Sequence, residues 1–443
     1  MIFKFLKYLS PINYFNLVRL DKSTIFPDWE FVPKSIQGMV TLDDRYITED
    51  AKFLDASWQL IQKGYVGNSK TISFDIKVDL FDEYLFARKY YNKIWVYFTL
   101  ILRIISFHNP YKELKAFIST RNINRTNVYA NPIVNKDWNE YKSELVKNQP
   151  KVSVVIPTLN RYDYLKDVLE DLEKQEYPNF DVIVVDQSEP FDKVFYDNYK
   201  LNLKLIHQKE KALWLARNTA VKISNAEYML LFDDDSRVEK DWIENHLKCL
   251  DFFNTPISSG TSISVIGAKV PESYSYFKLS DQIDTGNVML KKDVFRKVGL
   301  FDRQFEKQRM GDGEFGLRTY LAGFLNVSNP YAQRLHLKVG TGGLRQMGSW
   351  DGLRPTNWFA PRPIPSVLYY FRKYYGPVLT KYYLLRTIPP SLLPYRYKGK
   401  SKIMLIGYLV ALVLFPFVIF QVFKSWRLAS KKLKQGDLIE KLD

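Results

Sequence analysis

The central part of this 443-residue sequence predicts an α/β layered fold, on three observations. Apolar runs at 151–157, 180–185 and 228–232 read as buried strands. Between the first two, Tyr162, Leu165, Val168, Leu169 and Leu172 recur at helical spacing. Each run ends in polar or charged residues: Thr158-Leu159-Asn160-Arg161, Asp186-Gln187-Ser188 and Asp233-Asp234-Asp235. Strands alternating with helices build layered sheets, and the strand ends are where such sheets meet ligands.

In chain order, residues 1–149 form an N-terminal accessory region rich in Tyr, Phe, Asn and Lys. Its start is basic and apolar, but lysines interrupt it and no small-residue cleavage site follows. A surface amphipathic helix is therefore expected rather than a signal peptide. Residues 95–107 are strongly apolar, interrupted by Arg103, and too short to cross a bilayer; a core helix and a membrane-surface helix both fit. Asn148-Gln149-Pro150 marks the start of a central domain, 150–360.

The first strand of that domain turns directly into a helix. Free backbone N–H groups at a helix N-terminus suit a nucleotide or phosphate, so Pro157, Thr158, Asn160 and Arg161 are candidate nucleotide contacts. Asp186 and Gln187 stand at the next strand end, where a carboxylate or amide can read a base edge. A turn capped by Asp186 is the alternative. At 233–235 three like charges need a cation or hydrogen-bond donors. Mg²⁺ and Mn²⁺ prefer oxygen ligands and bridge phosphates; a solvated acidic turn is the simpler reading.

Residues 361–443 form an aromatic, basic tail. Tyrosines and cations together favour the headgroup zone of a bilayer. Within the tail, 403–423 is an uncharged apolar run, long enough for a membrane helix and kinked at Pro416. Basic residues on both flanks leave spanning and in-plane insertion open, and a buried helix of a soluble domain is the other reading.

A hydrophobic fraction of 46% with 16% aromatics excludes a disordered chain. The net charge of +16 calls for a partner: nucleic acid, an anionic bilayer or a phosphate-rich ligand. No zinc finger, RNA-recognition motif or base-reading helix is present, so nucleic acid is not expected. The single cysteine, Cys249, rules out an internal disulfide and fits a reducing compartment.

Seven segments resemble, in order and spacing, the family 2 glycosyltransferases over about 151–343. They are 154–161, 184–188, Leu215-Ala216-Arg217-Asn218, Asp233-Asp234-Asp235, Gly286-Asn287-Val288-Met289, 298–302 and Gly311-Asp312-Gly313-Glu314. The resemblance implies a GT-A type nucleotide-binding sheet and sugar transfer from a nucleotide-sugar, with a UDP-sugar favoured. It implies Asp235 as direct ligand of Mn²⁺ or Mg²⁺, with Asp233 and Asp234 near the metal, the ribose or the donor sugar, and His336 completing the metal site or touching the diphosphate. Arg217 would border the nucleotide, and Asn287 and Glu314 would face the sugar or acceptor. Asp312 would be the general base, where the family usually carries Glu-Asp and this chain has Gly311-Asp312. Gln187 replaces a second Asp; an amide both donates and accepts, which leaves the base open. Glu314 can also pair with Arg318 at i,i+4. Structural roles stay open for Arg217 and His336, a helix N-cap is the alternative for Asp312, and the Gly-rich 340–343 stretch reads as a lid or a turn.

The expectation is a membrane-associated, metal-dependent enzyme on the cytoplasmic side. It would invert the anomeric centre and use a lipid-linked or surface-glycan acceptor. A catalytically inactive nucleotide-sugar-binding scaffold and a nucleotidyltransferase are the alternatives.

Overall fold

The N-terminal region carries helices α1 (Leu6–Leu9), α2 (Lys34–Gln37), α3 (Glu49–Gln62), α4 (Leu80–Tyr90), α5 (Lys93–Ile105) and α6 (Pro110–Ser119). The last four begin where the sequence supplies a cap. Thr48, Asp79, Asn92 and Asn109 each accept a first-turn amide that the helix itself leaves unpaired. The computed structural model describes all residues except 68, 75, 265–269, 281–282, 340–343, 345–351, 356, 395–396 and 398–400, and the side chains of 401, 402 and 404.

The central domain is mixed α/β. After α7 (Glu144–Asn148) the predicted runs become β1 (Val152–Thr158), β2 (Phe180–Asp186) and β4 (Tyr228–Phe232), with β3 (Leu203–His207) between the last two. The remaining strands are β5 (Ser236–Val238), β6 (Ile257–Ser264), β7 (Lys278–Leu279), β8 (Asn287–Lys291) and β9 (Asn326–His336). They form one sheet in the order β3-β2-β1-β4-β8-β6-β9-β5, with β7 on β9. β1 pairs in parallel with both β2 and β4, while β8 runs antiparallel to β4. The sheet grows in opposite directions from β1, so the C-terminal ends of β1 and β4 flank a switch point, where open α/β sheets bind ligands. The amphipathic segment at 162–172 is α8 (Tyr162–Glu173). It buries Leu165, Val168, Leu169 and Leu172 against Val154, Ile156 and Leu230 of the sheet. Helices α9 (Leu213–Ile223), α10 (Trp242–Phe252), α11 (Lys292–Val298) and α12 (Gly311–Leu321) complete the domain.

The tail is helical: α13 (Pro365–Ser391), interrupted at Gly376, then α14 (Ser401–Val413) and α15 (Phe415–Gln435). The apolar run 403–423, expected as one kinked helix, is instead broken into two segments bent by 93°. Pro416 accounts for the break, because its ring clashes with the carbonyl four residues back and it has no N–H to donate. Among the described residues no single helix is long and apolar enough to cross a membrane. Helix α15 has an inverted polarity: it buries Gln421, Ser425 and Ala429 and exposes Phe415, Phe417, Ile419, Phe420 and Phe423.

The chain divides into two compact units. One comprises Met1–Lys63, Asn68–Ile133 and Gly348–Gln435, so the helices of the N-terminal region and of the tail belong together. The other comprises Gly64–Gly67, Val134–Met347 and the last segment, Gly436–Asp443.

Candidate active site

The apolar run of β4 ends at Phe232, and the three carboxylates follow at the switch point. Each meets a cationic partner. Thr158, the last residue of β1, donates its hydroxyl to Asp234 Oδ2 at 2.9 Å. Arg161, at the start of α8, reaches Asp234 at 2.9 Å and Asp235 at 3.3 Å. Asp233 takes Arg217 of α9 at 2.8 Å and Arg334 of β9 at 2.9 Å. Pairing of β5 with β9 sets Ser236 opposite His336, which brings His336 Nε2 to 3.3 Å from Asp235 Oδ1. Three carboxylates thus face three guanidiniums and an imidazole.

This crowding is electrostatically tense. Burial pushes the Asp234 carboxyl up to about 6; the Asp235 charge adds to that, while Arg161 and Thr158 oppose it. Burial alone would weaken the proton affinity of Arg334, but Asp284 and Asp233 outweigh it and hold the guanidinium above its ordinary value.

One ligand atom each from Asp233, Asp235 and His336 lie within 4.8 Å of one another. Two carboxylates and an imidazole on this scale fit a divalent cation. Asp233 is bonded to two arginines at short range, whereas both contacts of Asp235 are 3.3 Å long. Asp235 therefore keeps the most lone-pair capacity for a metal.

The other expected residues divide into two groups. Pro157 lies within β1, and Asn160 adopts a left-handed backbone (φ 53°). Asn160 accepts the Glu189 amide and gives its own N–H to Ser188 Oγ, joining the ends of β1 and β2. Gln187 holds the start of α9, its Oε1 accepting the Ala212 amide at 2.6 Å and Gln208 Nε2 at 3.2 Å. Its Nε2 is buried with no hydrogen-bond partner among the described residues.

Asp186, Asn287 and Glu314, expected as ligand contacts, are spent inside the fold. Asp186 is buried and accepts the hydroxyls of Tyr162 (2.7 Å) and Tyr196 (2.8 Å) and the Ser188 amide, so its carboxylate is satisfied as a turn cap. The Asn287 amide accepts from Trp242 Nε1 and His246 Nε2 and donates to the Thr261 and Ala332 carbonyls, which uses its whole capacity. Glu314 pairs with Arg318 at i,i+4, and Arg318 in turn donates to the Val298, Gly299 and Leu300 carbonyls.

Asp312 sits half-buried in the first turn of α12, where its carboxylate accepts the Gly313 amide. Gly311, in place of the family's Glu, has a steric reason: a Cβ there would overlap the Trp214 indole. That ring packs 5.4 Å from the Arg217 guanidinium, so contacts run from Asp312's neighbour to Asp233 through Trp214 and Arg217. Gly286 is needed for the same reason, since a Cβ would overlap Asp233 and Arg334. Residues 340–343 lie outside the described residues.

Sequence reasoning missed Arg334, which also bonds Asp284, Ser236 and Ser262. Its signal was parity: Arg334 is two residues before His336 and so on the same strand face.

Residues 153–301 match the family model described as glycosyl transferase family 2. The chain carries a family 2 glycosyltransferase domain. Glycosyltransferase GlyA of Streptococcus pneumoniae is 27% identical over 165 residues, covering 36% of this chain and 22% of that protein. Poly(ribitol-phosphate) beta-N-acetylglucosaminyltransferase TarS of Staphylococcus aureus is 29% identical over 130 residues, covering 28% and 23%. The chain thus spans about a quarter or less of the length of these two curated relatives. A solved mannosyltransferase of Pyrobaculum calidifontis, in complex with GDP-Man and Mn²⁺, aligns over 67% of this chain and 91% of that one, with 17% identity and a TM-score of 0.43. The matched span of the glycosyltransferase domain holds Thr158, Arg161, Arg217 and the three carboxylates; Asp312, Arg334 and His336 follow it.

Proposed function

We propose that the glycosyltransferase domain is of GT-A type and transfers a sugar from a nucleotide-sugar to a hydroxyl acceptor, with inversion and with help from Mn²⁺ or Mg²⁺. The observation that carries this reading is the meeting of Asp233, Asp235 and His336 beside Thr158 and Arg161 at the switch point. A UDP-sugar is the favoured donor; TarS of Staphylococcus aureus has been solved in complex with UDP-GlcNAc.

The chain's own groups supply binding and proton transfer. Arg161 and the amides at the start of α8 offer positive charge to a diphosphate. Arg217 and Arg334 fix Asp233 and keep the acidic cluster from repelling that anion. A divalent cation held by Asp235, Asp233 and His336 would neutralise the charge that grows on the leaving diphosphate. Asp312 accepts the proton of the attacking hydroxyl, which is a poor nucleophile while protonated.

The membrane part of the reading rests on α14 and α15. A helix that buries Gln421, Ser425 and Ala429 while exposing five large apolar side chains suits a lipid surrounding. With a cytoplasmic site on a bilayer surface, the acceptor is a lipid-linked or surface glycan.

Hydrolysis of a panel of UDP- and GDP-sugars by the purified chain, with and without Mn²⁺, tests the reading. Release of nucleotide from one donor, strengthened by Mn²⁺, is expected. Nucleotide binding without turnover of any donor, in the presence of candidate acceptors, would favour an inactive scaffold.

A further inference from the structure

The helical unit has a second apolar face, outside the tail. In α5, Tyr97, Ile101 and Ile105 are exposed at i,i+4 spacing and so share one side of the helix. In α6, Tyr111, Leu114 and Ile118 are exposed at i,i+3,i+7, again on one side. The two helices pack together, with Tyr97 against Phe117 at 5.0 Å. Phe107 stands in the turn between them, 98% exposed, with a left-handed backbone (φ 61°) unusual for a bulky side chain.

The charges around this face have one sign. Residues 93–121 hold Lys93, Arg103, Lys112, Lys115 and Arg121 against a single acid, Glu113. Glu113 is buried and paired with Arg103 at 2.6 Å, so every exposed charge on the hairpin is positive. A face of that kind repels a second copy of itself and complements an anionic surface. It also adjoins the tail's apolar helices: Phe98 of α5 lies 6.3 Å from Tyr408 of α14.

We propose that the α5–α6 hairpin is a bilayer-contact element, with Phe107 as its inserting tip and Lys112, Lys115 and Arg121 meeting anionic headgroups. The inference rests on the membrane part of the proposed function, and the experiment separates the hairpin from α14 and α15.

The sequence makes a direct test practical. Its one cysteine, Cys249, is buried, so Phe107→Cys in the full chain gives a single accessible thiol for an environment-sensitive fluorophore. Leu20→Cys, at an exposed loop position of the same unit, is the control. With vesicles containing phosphatidylglycerol, the label at 107 should brighten several-fold and be quenched by lipid-borne quenchers, while the label at 20 should not. Lys112→Glu with Lys115→Glu should weaken vesicle binding roughly tenfold at low salt. A label at 107 that stays aqueous while the chain binds vesicles overturns the hairpin proposal and leaves the tail as anchor. Failure of the unlabelled chain to bind any vesicle removes both. A signal that rises with protein concentration in the absence of lipid assigns the face to a second copy and also overturns the proposal.

Discussion

Asp235 has the loosest contacts of the three site carboxylates, and its backbone carbonyl, which accepts the Leu337 amide, survives any substitution. Asp235→Ala should therefore fold and lose the Mn²⁺-dependent part of UDP affinity. Calorimetric titration with and without Mn²⁺ reads this directly, and an unchanged metal dependence refutes the assignment. Asp312→Asn keeps the shape and removes the proton acceptor, so donor binding should persist while transfer falls by about 10²-fold or more. Transfer within a few-fold of wild type would remove Asp312 as base. His246 offers a pH test of the core beneath the site. Its Nε2–H donates to Asn287 and its Nδ1 lies 2.9 Å from Ser258 Oγ; burial outweighs the contacts with Asn287 and Ser258, which favour the charged ring, and lowers its pKa from 6.5 to about 4. A depressed folded pKa means stability present above 6.5 and lost as pH falls from 6.5 towards 4, by about 3 kcal/mol in all. Urea unfolding at a series of pH values should show this loss, flattened in His246→Gln. At this scale the sequence shows which groups carry charge but not how they are shared. Asp186 and Asn287 have the right chemistry for ligands, yet Tyr162, Tyr196, Trp242 and His246 come from elsewhere to consume it.

The segment carrying Asp312 is held by partners far away in sequence. Glu306 accepts the Trp214 and Leu215 amides at the start of α9, and the Trp214 indole donates to the Phe305 carbonyl. The last eight residues then run along 300–304. The Leu300 amide donates to the Glu440 carbonyl, the Arg303 amide to the Leu438 carbonyl, and the Leu438 amide to Asp302. Gln304 donates to the Gly436 carbonyl, and Lys222 pairs with Glu440. Deleting 436–443 should lower stability by about 1–3 kcal/mol, since several backbone bonds are lost at a half-exposed site. It should also reduce turnover more than donor affinity, because these eight residues brace the approach to the base and leave the carboxylate cluster alone. Adding the octapeptide back should restore part of the rate. An unaltered melting temperature and rate would show that the tail merely rests there. The strands and helices of the domain were legible because their apolar spacing is local. The docking of the last eight residues was not, because so short a segment of mixed polar and apolar residues carries no sign of its partner.

The helical unit joins segments from both ends of the chain, with Tyr8 stacked edge-on against Tyr382 at 4.9 Å and Arg386 over the Trp95 ring at 4.4 Å. No local pattern encodes pairings across such separations, which is why the two regions read separately in the sequence. What was legible is the mismatch between composition and solubility: an apolar stretch at 403–423 and a charge of +16. The fold sharpens that into exposed phenylalanines on α15 whose opposite face is polar and buried. Replacing Phe417, Phe420 and Phe423 together by Glu alters only exposed positions, so the core contacts of Gln421, Ser425 and Ala429 should hold. The wild-type full chain should remain with membranes through a high-salt wash. The triple variant should be released by that wash, because what remains is the salt-sensitive attraction of basic side chains to anionic lipid. Fractionation of cells expressing each form measures the difference. A wild-type chain found soluble without detergent would mean that those phenylalanines meet protein rather than lipid, and the membrane part of the function would have to be withdrawn.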